Sequence, residues 1–151
     1  MKIGFLVLAA LFLFGCVSQQ ASQEQDFELS GNAIVYKSPT CGCCEGYINF
    51  LKETGFKVEV KQAPHIESIK REHNIPQKLE SCHTTFIGDY FVEGHVPKEA
   101  LEKLMKEKPK IKGIALPGMP IGTPGMPGPK QEEWIIYSLN YDDSYSIFMR
   151  V

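Results

Sequence analysis

Ala33-Ile34-Val35-Tyr36, Ser38-Pro39-Thr40, Cys41-Gly42-Cys43-Cys44 and then Tyr47-Ile48-Asn49-Phe50-Leu51: this stretch decides the fold. The first four residues form a short apolar run with β-branched members, which predicts a buried strand. Ser38-Pro39-Thr40 breaks it. A helix then opens near Cys43 or Cys44. Tyr47, Ile48, Phe50 and Leu51 form its apolar stripe, Lys52 falls in its last turn, and Gly55 suits the position just past its end. Three thiols are therefore crowded into the turn between a strand and a helix.

Outward from that turn, Lys57-Val58-Glu59-Val60-Lys61 alternates as a strand does. Pro64 opens a second helix, with Ile66, Ile69 and His73 expected to face inward and Asn74 ending it. Thr84-Thr85-Phe86-Ile87 and Tyr90-Phe91-Val92-Glu93 flank Gly88-Asp89 as a hairpin with a two-residue turn. Pro97 opens a third helix with a stripe of Ala100, Leu101, Leu104 and Met105. Glu99/Lys103 and Glu102/Lys106 are spaced as i,i+4 pairs on it. The order is β-α-β-α-β-β-α, an α/β arrangement matching the thioredoxin-like order by analogy. A Pro/Gly/Met-rich loop follows, Pro117 to Pro129, carrying Pro-Gly-Met-Pro twice; it suits neither helix nor central strand. Trp134 to Leu139 and Tyr145 to Met149 flank Asp142-Asp143-Ser144 as a C-terminal hairpin.

The N-terminus carries Lys2 and then a nearly unbroken apolar run from Ile3 to Phe14. That run is short of the ~20 residues a membrane-spanning helix takes and fits a signal peptide over residues 1–15. It ends Leu13-Phe14-Gly15-Cys16, which resembles a lipobox and implies a lipid on Cys16. An uncleaved N-terminal anchor is the alternative. Either reading puts the protein outside the cytoplasm, in the periplasm or at the cell surface. Residues 16–30 read as the lipidated cysteine and a Gln/Ser/Glu-rich tether, and 31–151 as the folded domain.

The chain has 151 residues and a formal net charge of −2, enough for one core and no basic footprint for nucleic acid. No paired carboxylates, serine triad or phosphate loop stands out.

Setting Cys16 aside leaves Cys41, Cys43, Cys44 and Cys82. Outside the cytoplasm four thiols could form two disulfides, giving a stapled structural module. Neighbours Cys43 and Cys44 cannot bridge without strain, and Cys41–Cys43 is awkwardly short. Only Cys41–Cys44, or Cys82 with one of the three, is comfortable. Cys41-x-x-Cys44 also has dithiol oxidoreductase spacing. Against that use, Cys43 is a third thiol inside the motif. Ser81-Cys82-His83 also stands where such enzymes usually keep a cis-proline.

In a thioredoxin-like fold the start of the third strand and the end of the fourth return to the rim where the first strand ends. Cys82, His83 and His95 would then join Cys41–Cys44. The first helix's N-terminus favours thiolate there. Thiolate and thioether are the ligands copper(I) prefers, and bridging sulfurs relieve the crowding of Cys41, Cys43 and Cys44. Zinc usually takes pairs two to four residues apart. Glu45 follows Cys44 where haem attachment needs histidine. An iron–sulfur cluster suits four thiols but not an extracytoplasmic setting. His95, Met119 and Met126 are further candidate ligands; loop packing is the alternative for the methionines. His65 and His73 are assigned no chemistry.

Tyr36 to Cys44, Ser81-Cys82-His83-Thr84, Glu93-Gly94-His95-Val96-Pro97 and Leu116-Pro117-Gly118-Met119-Pro120 together resemble the CopG-type copper-resistance proteins. The likeness runs from about Ala33 to Gly128. It implies a thioredoxin-like domain holding a thiolate-bridged, multinuclear copper cluster on Cys41, Cys43, Cys44 and Cys82, with His83 the next candidate. It implies a role in copper resistance or homeostasis in the envelope, with Cu(I)/Cu(II) interconversion as an oxidoreductase activity. Copper ions and other envelope copper-handling proteins would be its partners. The lipobox departs from a soluble periplasmic member and implies work at a membrane surface.

Overall fold

The computed structural model describes residues 27–151. The expected signal peptide, Cys16 and the expected tether through residue 26 lie outside the described residues. The elements run β1 (Gly31–Lys37), α1 (Cys43–Glu53), β2 (Phe56–Gln62), α2 (Ile66–Glu72), a 3-10 turn (Gln77–Leu79), β3 (His83–Ile87), β4 (Tyr90–Glu93), α3 (Lys98–Glu107), β5 (Gly113–Ala115), β6 (Ile135–Leu139) and β7 (Tyr145–Arg150). This is the α/β class expected from the sequence. Among the described residues no helix is long and apolar enough to cross a membrane.

All seven strands join one mixed sheet in the order β2-β1-β3-β4-β5-β6-β7. β1 is parallel to β2 and antiparallel to β3, and β3 is antiparallel to β4. β5, which the sequence analysis does not anticipate, runs parallel to β4 and antiparallel to β6. It joins the C-terminal hairpin to the main sheet.

Alternation assigns the two faces. Val35, Ile87, Val92, Ile114 and Ile136 pack in one cluster with Tyr47, Ile48 and Leu51 of α1 and Ala100, Leu101 and Leu104 of α3. Phe91, Ala115 and Leu139 pack with Ile75 and Leu79 in a second cluster. Leu29, inside the stretch expected as tether, is 1% exposed and belongs to the first cluster. Its carbonyl lies where a Cβ on Gly55 would be, at 2.2 Å, and Gly55 has φ +110. The residue closing α1 must therefore be glycine for both conformation and space.

Two expectations about the helices are corrected. His73 is exposed at the C-terminal cap of α2 rather than turned inward, and Lys70 is buried instead. Ile66 and Lys70 stand one helical turn apart on the inward face, which a lysine occupies only with a partner. On α3 the ion pairs formed are Lys98–Glu102 and Lys103–Glu107, with lysine first in each.

Candidate metal centre

Four strands deliver this site to one edge of the sheet. Lys37, the last residue of β1, sits opposite His83, the first of β3. Thr84 of β3 pairs with Glu93, the last residue of β4, and Glu93 pairs with Ala115, the last of β5. The cysteine turn follows β1, Cys82 precedes β3, His95 follows β4, and Met119 follows β5. The short strand missed in the sequence is what brings the Pro/Gly loop, and Met119 with it, to the cysteines.

The sulfurs converge. Ligand atoms of Cys41, Cys43, Cys44 and Cys82 all lie within 4.8 Å of one another, and those of Cys82, His83 and His95 form a second such group. Cys43 Sγ is 3.6 Å from Cys41 Sγ and 3.7 Å from Cys82 Sγ. Cys44 Sγ is also 3.7 Å from Cys82 Sγ. Cys82 Sγ stands 3.3 Å from Nδ1 of His83 and 3.2 Å from Nε2 of His95. Met119, 48% exposed, brings its Sδ to 3.7 Å from Cys43 Sγ. Met126 is half-buried, and its N–H closes a turn on the Thr123 carbonyl at 2.8 Å.

Cys41 and Cys44 are joined by a disulfide, while Cys43 and Cys82 are free thiols. This is one of the comfortable pairings. Among the described residues the second bridge that a stapled module needs is missing.

The comparisons with known proteins decide the family. A family model described as "Protein of unknown function, DUF411" matches residues 79–126. Two solved structures, named "Copper resistance protein copG- Form 2" and "Copper resistance protein copG- Form 1", are each 35% identical to this chain. They superpose with TM-scores of 0.74 and 0.73, covering 80% of this chain and 97% and 96% of theirs. The chain belongs to the CopG family. No curated protein matches it.

In this CopG-family chain the surroundings of Cys82 decide its charge. Burial, and then the neighbouring Cys43 sulfur, push the Cys82 thiol up to about 12. Cys82 keeps its proton near neutrality until a cation displaces it, so metal binding at this sulfur releases a proton.

His95 is oriented from outside. Its Nδ1 lies 2.7 Å from the Pro124 carbonyl, which can only accept, so Nδ1 carries the hydrogen and Nε2 turns its lone pair toward Cys82. His83 is wholly buried with its ring 4.6 Å from that of Tyr47, and among the described residues its Nε2 has no hydrogen-bond partner. Burial pushes both imidazoles down, His83 strongly, with His95 adding to the effect at His83. Both are neutral and available as ligands near neutrality.

The loop's approach is set by glycine. A Cβ on Gly46 would fall 2.7 Å from Gly125 Cα, and Gly125 itself has φ +81. The loop backbone thus lies directly on the first turns of α1, which places the Pro124 carbonyl over His95. A cleft of about 460 Å³, lined among others by Cys41, Cys43, Cys82, Met119 and Lys70, opens this centre to solvent.

Sequence reasoning passed over Lys70 and Glu93. They form an ion pair, 2% and 0% exposed. Burial pushes the Glu93 carboxyl up, while the Lys70 ammonium and the hydrogen bonds from Thr84 and Ser81 pull the other way. The signal available was Lys70 on the apolar face of α2, together with Glu93 one residue past the buried Val92.

Proposed function

We propose that this chain is an extracytoplasmic copper-binding protein of copper resistance or homeostasis. It is tethered to the membrane by a lipid on Cys16 and holds several copper ions bridged by the thiolates of Cys41, Cys43, Cys44 and Cys82. His83, His95 and Met119 complete the donor set. The observation that carries this reading is the convergence of the four sulfurs within 4.8 Å from two distant stretches of chain. Soft sulfur donors at that density suit copper(I), and the adjoining imidazoles suit copper(II) as well. That mixed set supports interconversion of the two oxidation states. The two copper-resistance structures that superpose on the chain support the same reading.

The disulfide adds a condition. Cys41 and Cys44 can donate as thiolates only after two electrons open their bond, so copper capacity depends on the redox state of the protein. The test is copper retention by the reduced full chain and by its Cys41→Ser/Cys44→Ser double variant. The reduced wild type retains copper through desalting and the double variant loses most of it. Tight multinuclear binding by the double variant would sink the proposal.

The same disulfide favours a second reading, thiol–disulfide exchange through Cys41 and Cys44 at the start of α1. Cys43 weighs against it, because its sulfur lies 3.6 Å from Cys41 Sγ and would compete with any external thiol for the bond. Reductase activity in metal-free protein that disappears in Cys44→Ala would favour this second reading.

A further inference from the structure

One carboxylate grips both sides of the Cys82-His83 pair. Glu93 Oε1 accepts the Ser81 N–H at 2.6 Å and a hydrogen bond from the Lys70 ammonium. Glu93 Oε2 accepts the Thr84 hydroxyl at 2.6 Å. Lys70 also donates to Thr84 Oγ1 at 3.2 Å. Ser81 precedes the pair and Thr84 follows it, so the two oxygens hold the chain on both sides of the dipeptide that carries the shared sulfur, at a backbone N–H on one side and a side-chain hydroxyl on the other.

The grip reaches the loop as well. Ser81 Oγ donates to the Gly118 carbonyl, and the Gly118 N–H donates back to the Glu80 carbonyl at 3.2 Å. Met119 is the next residue. Gly94, with φ +78, passes so close to Ser81 that an added Cβ would fall 2.6 Å from the Ser81 Cβ. Cys82, Met119 and the segment leading to His95 are therefore tied to the same carboxylate.

A buried ion pair is a poor source of stability, since apolar packing of equal volume serves as well or better. What it supplies is a fixed geometry. We propose that Glu93, itself held by Lys70, is the positioning residue of the metal centre. It sets residues 81–84 so that the Cys82 sulfur faces Cys43, Cys44 and His95 together. Its effect on copper rests on the function proposed above; its effect on the thiols exists in metal-free protein.

The experiment uses the full chain, reduced and metal-free, with Thr84→Val and the charge-neutral Lys70→Met/Glu93→Leu double variant. Iodoacetamide alkylation of Cys82 relative to Cys43 is read by peptide mass spectrometry, folding by circular dichroism, and Cu(I) affinity by competition with a chelator. Thr84→Val is expected to fold and to change the Cys82:Cys43 alkylation ratio by about threefold, as a thiol moved in its surroundings does. The double variant is expected to lose about tenfold in Cu(I) affinity, the usual effect of removing an outer-shell partner. A purely structural pair would lower the melting temperature and leave the ratio unmoved, which overturns the inference. Should the double variant not fold, the ratio in Thr84→Val decides alone. Should the wild type bind no Cu(I), the copper reading fails, and the ratio still decides for or against the grip of Glu93.

Discussion

Cys82 Sγ lies 3.2 Å from His95 Nε2 and, at the same time, 3.7 Å from the sulfurs of both Cys43 and Cys44. It is the one atom common to the sulfur group and the sulfur–imidazole group. Cys82→Ser therefore breaks both groups, whereas Cys43→Ser leaves Cys41, Cys44, Cys82 and the two imidazoles in place. Copper retained per chain after reduction, Cu(I) loading and desalting is expected to fall furthest in Cys82→Ser. Greater retention in Cys82→Ser than in Cys43→Ser would refute the shared-sulfur arrangement.

Met119 offers a cleaner separation of binding from stability. Its side chain is half in solvent and its sulfur is 3.7 Å from Cys43. Met119→Leu keeps the volume and removes the thioether, so stability should change by less than about 0.5 kcal/mol. Cu(I) affinity should fall by roughly threefold or more, because a soft donor is lost. Chelator competition beside a denaturant melt checks both; unchanged affinity removes Met119 from the donor set.

Gly46 allows a prediction of sign. In an exposed helix interior, Gly→Ala stabilises by about 1 kcal/mol. Here the added methyl would meet the backbone of Gly125 at 2.7 Å. Gly46→Ala is expected to destabilise by about 1–3 kcal/mol, as overpacking does, and to loosen the Pro124 hold on His95. A variant melting above the wild type would show that the loop does not lie on α1.

The histidines make the metal-free fold sensitive to acid. His83 and His95 are held below the ordinary histidine value by burial. Below about pH 6.5 the unfolded chain takes up protons that the folded state refuses, so stability falls with pH, by up to about 1.4 kcal/mol per unit for each histidine. Denaturant melts between pH 7.5 and 5.5 are expected to show this decline in the wild type. They should show a flatter profile in His83→Gln/His95→Gln. Equal slopes in the two proteins would mean the imidazoles are not buried neutral.

Much of this was legible in the chain. The Ala33–Tyr36 run, the Tyr47-Ile48-Leu51 stripe and the Gly88-Asp89 turn each carry a local period or breaker, and β1, α1 and the β3–β4 hairpin stand where those signals put them. Gly113-Ile114-Ala115 carries none. Three residues are too few for alternation, and glycine and alanine are poor strand formers, so β5 exists only because β4 and β6 flank it. The position of Met119 was hidden with it. Lys70 was hidden for a different reason. A lysine on a helix normally reads as solvated, and only the buried carboxylate it meets from β4, 23 residues on, makes it a core residue. A contact of that range shows in a single sequence only indirectly, as a lysine at i+4 from Ile66 on the apolar face of α2.

Four sulfurs acting together on copper would leave a direct signature in stoichiometry. The most direct measurement takes the full chain, reduces it anaerobically, loads it with Cu(I), and counts copper per chain and free thiols on the same sample. The expected result is more than one tightly held copper per chain, with Cys41, Cys43, Cys44 and Cys82 all protected from alkylation. A chain that retains no copper, and whose Cys41–Cys44 bond simply re-forms in air with Cys43 and Cys82 still reactive, would contradict it.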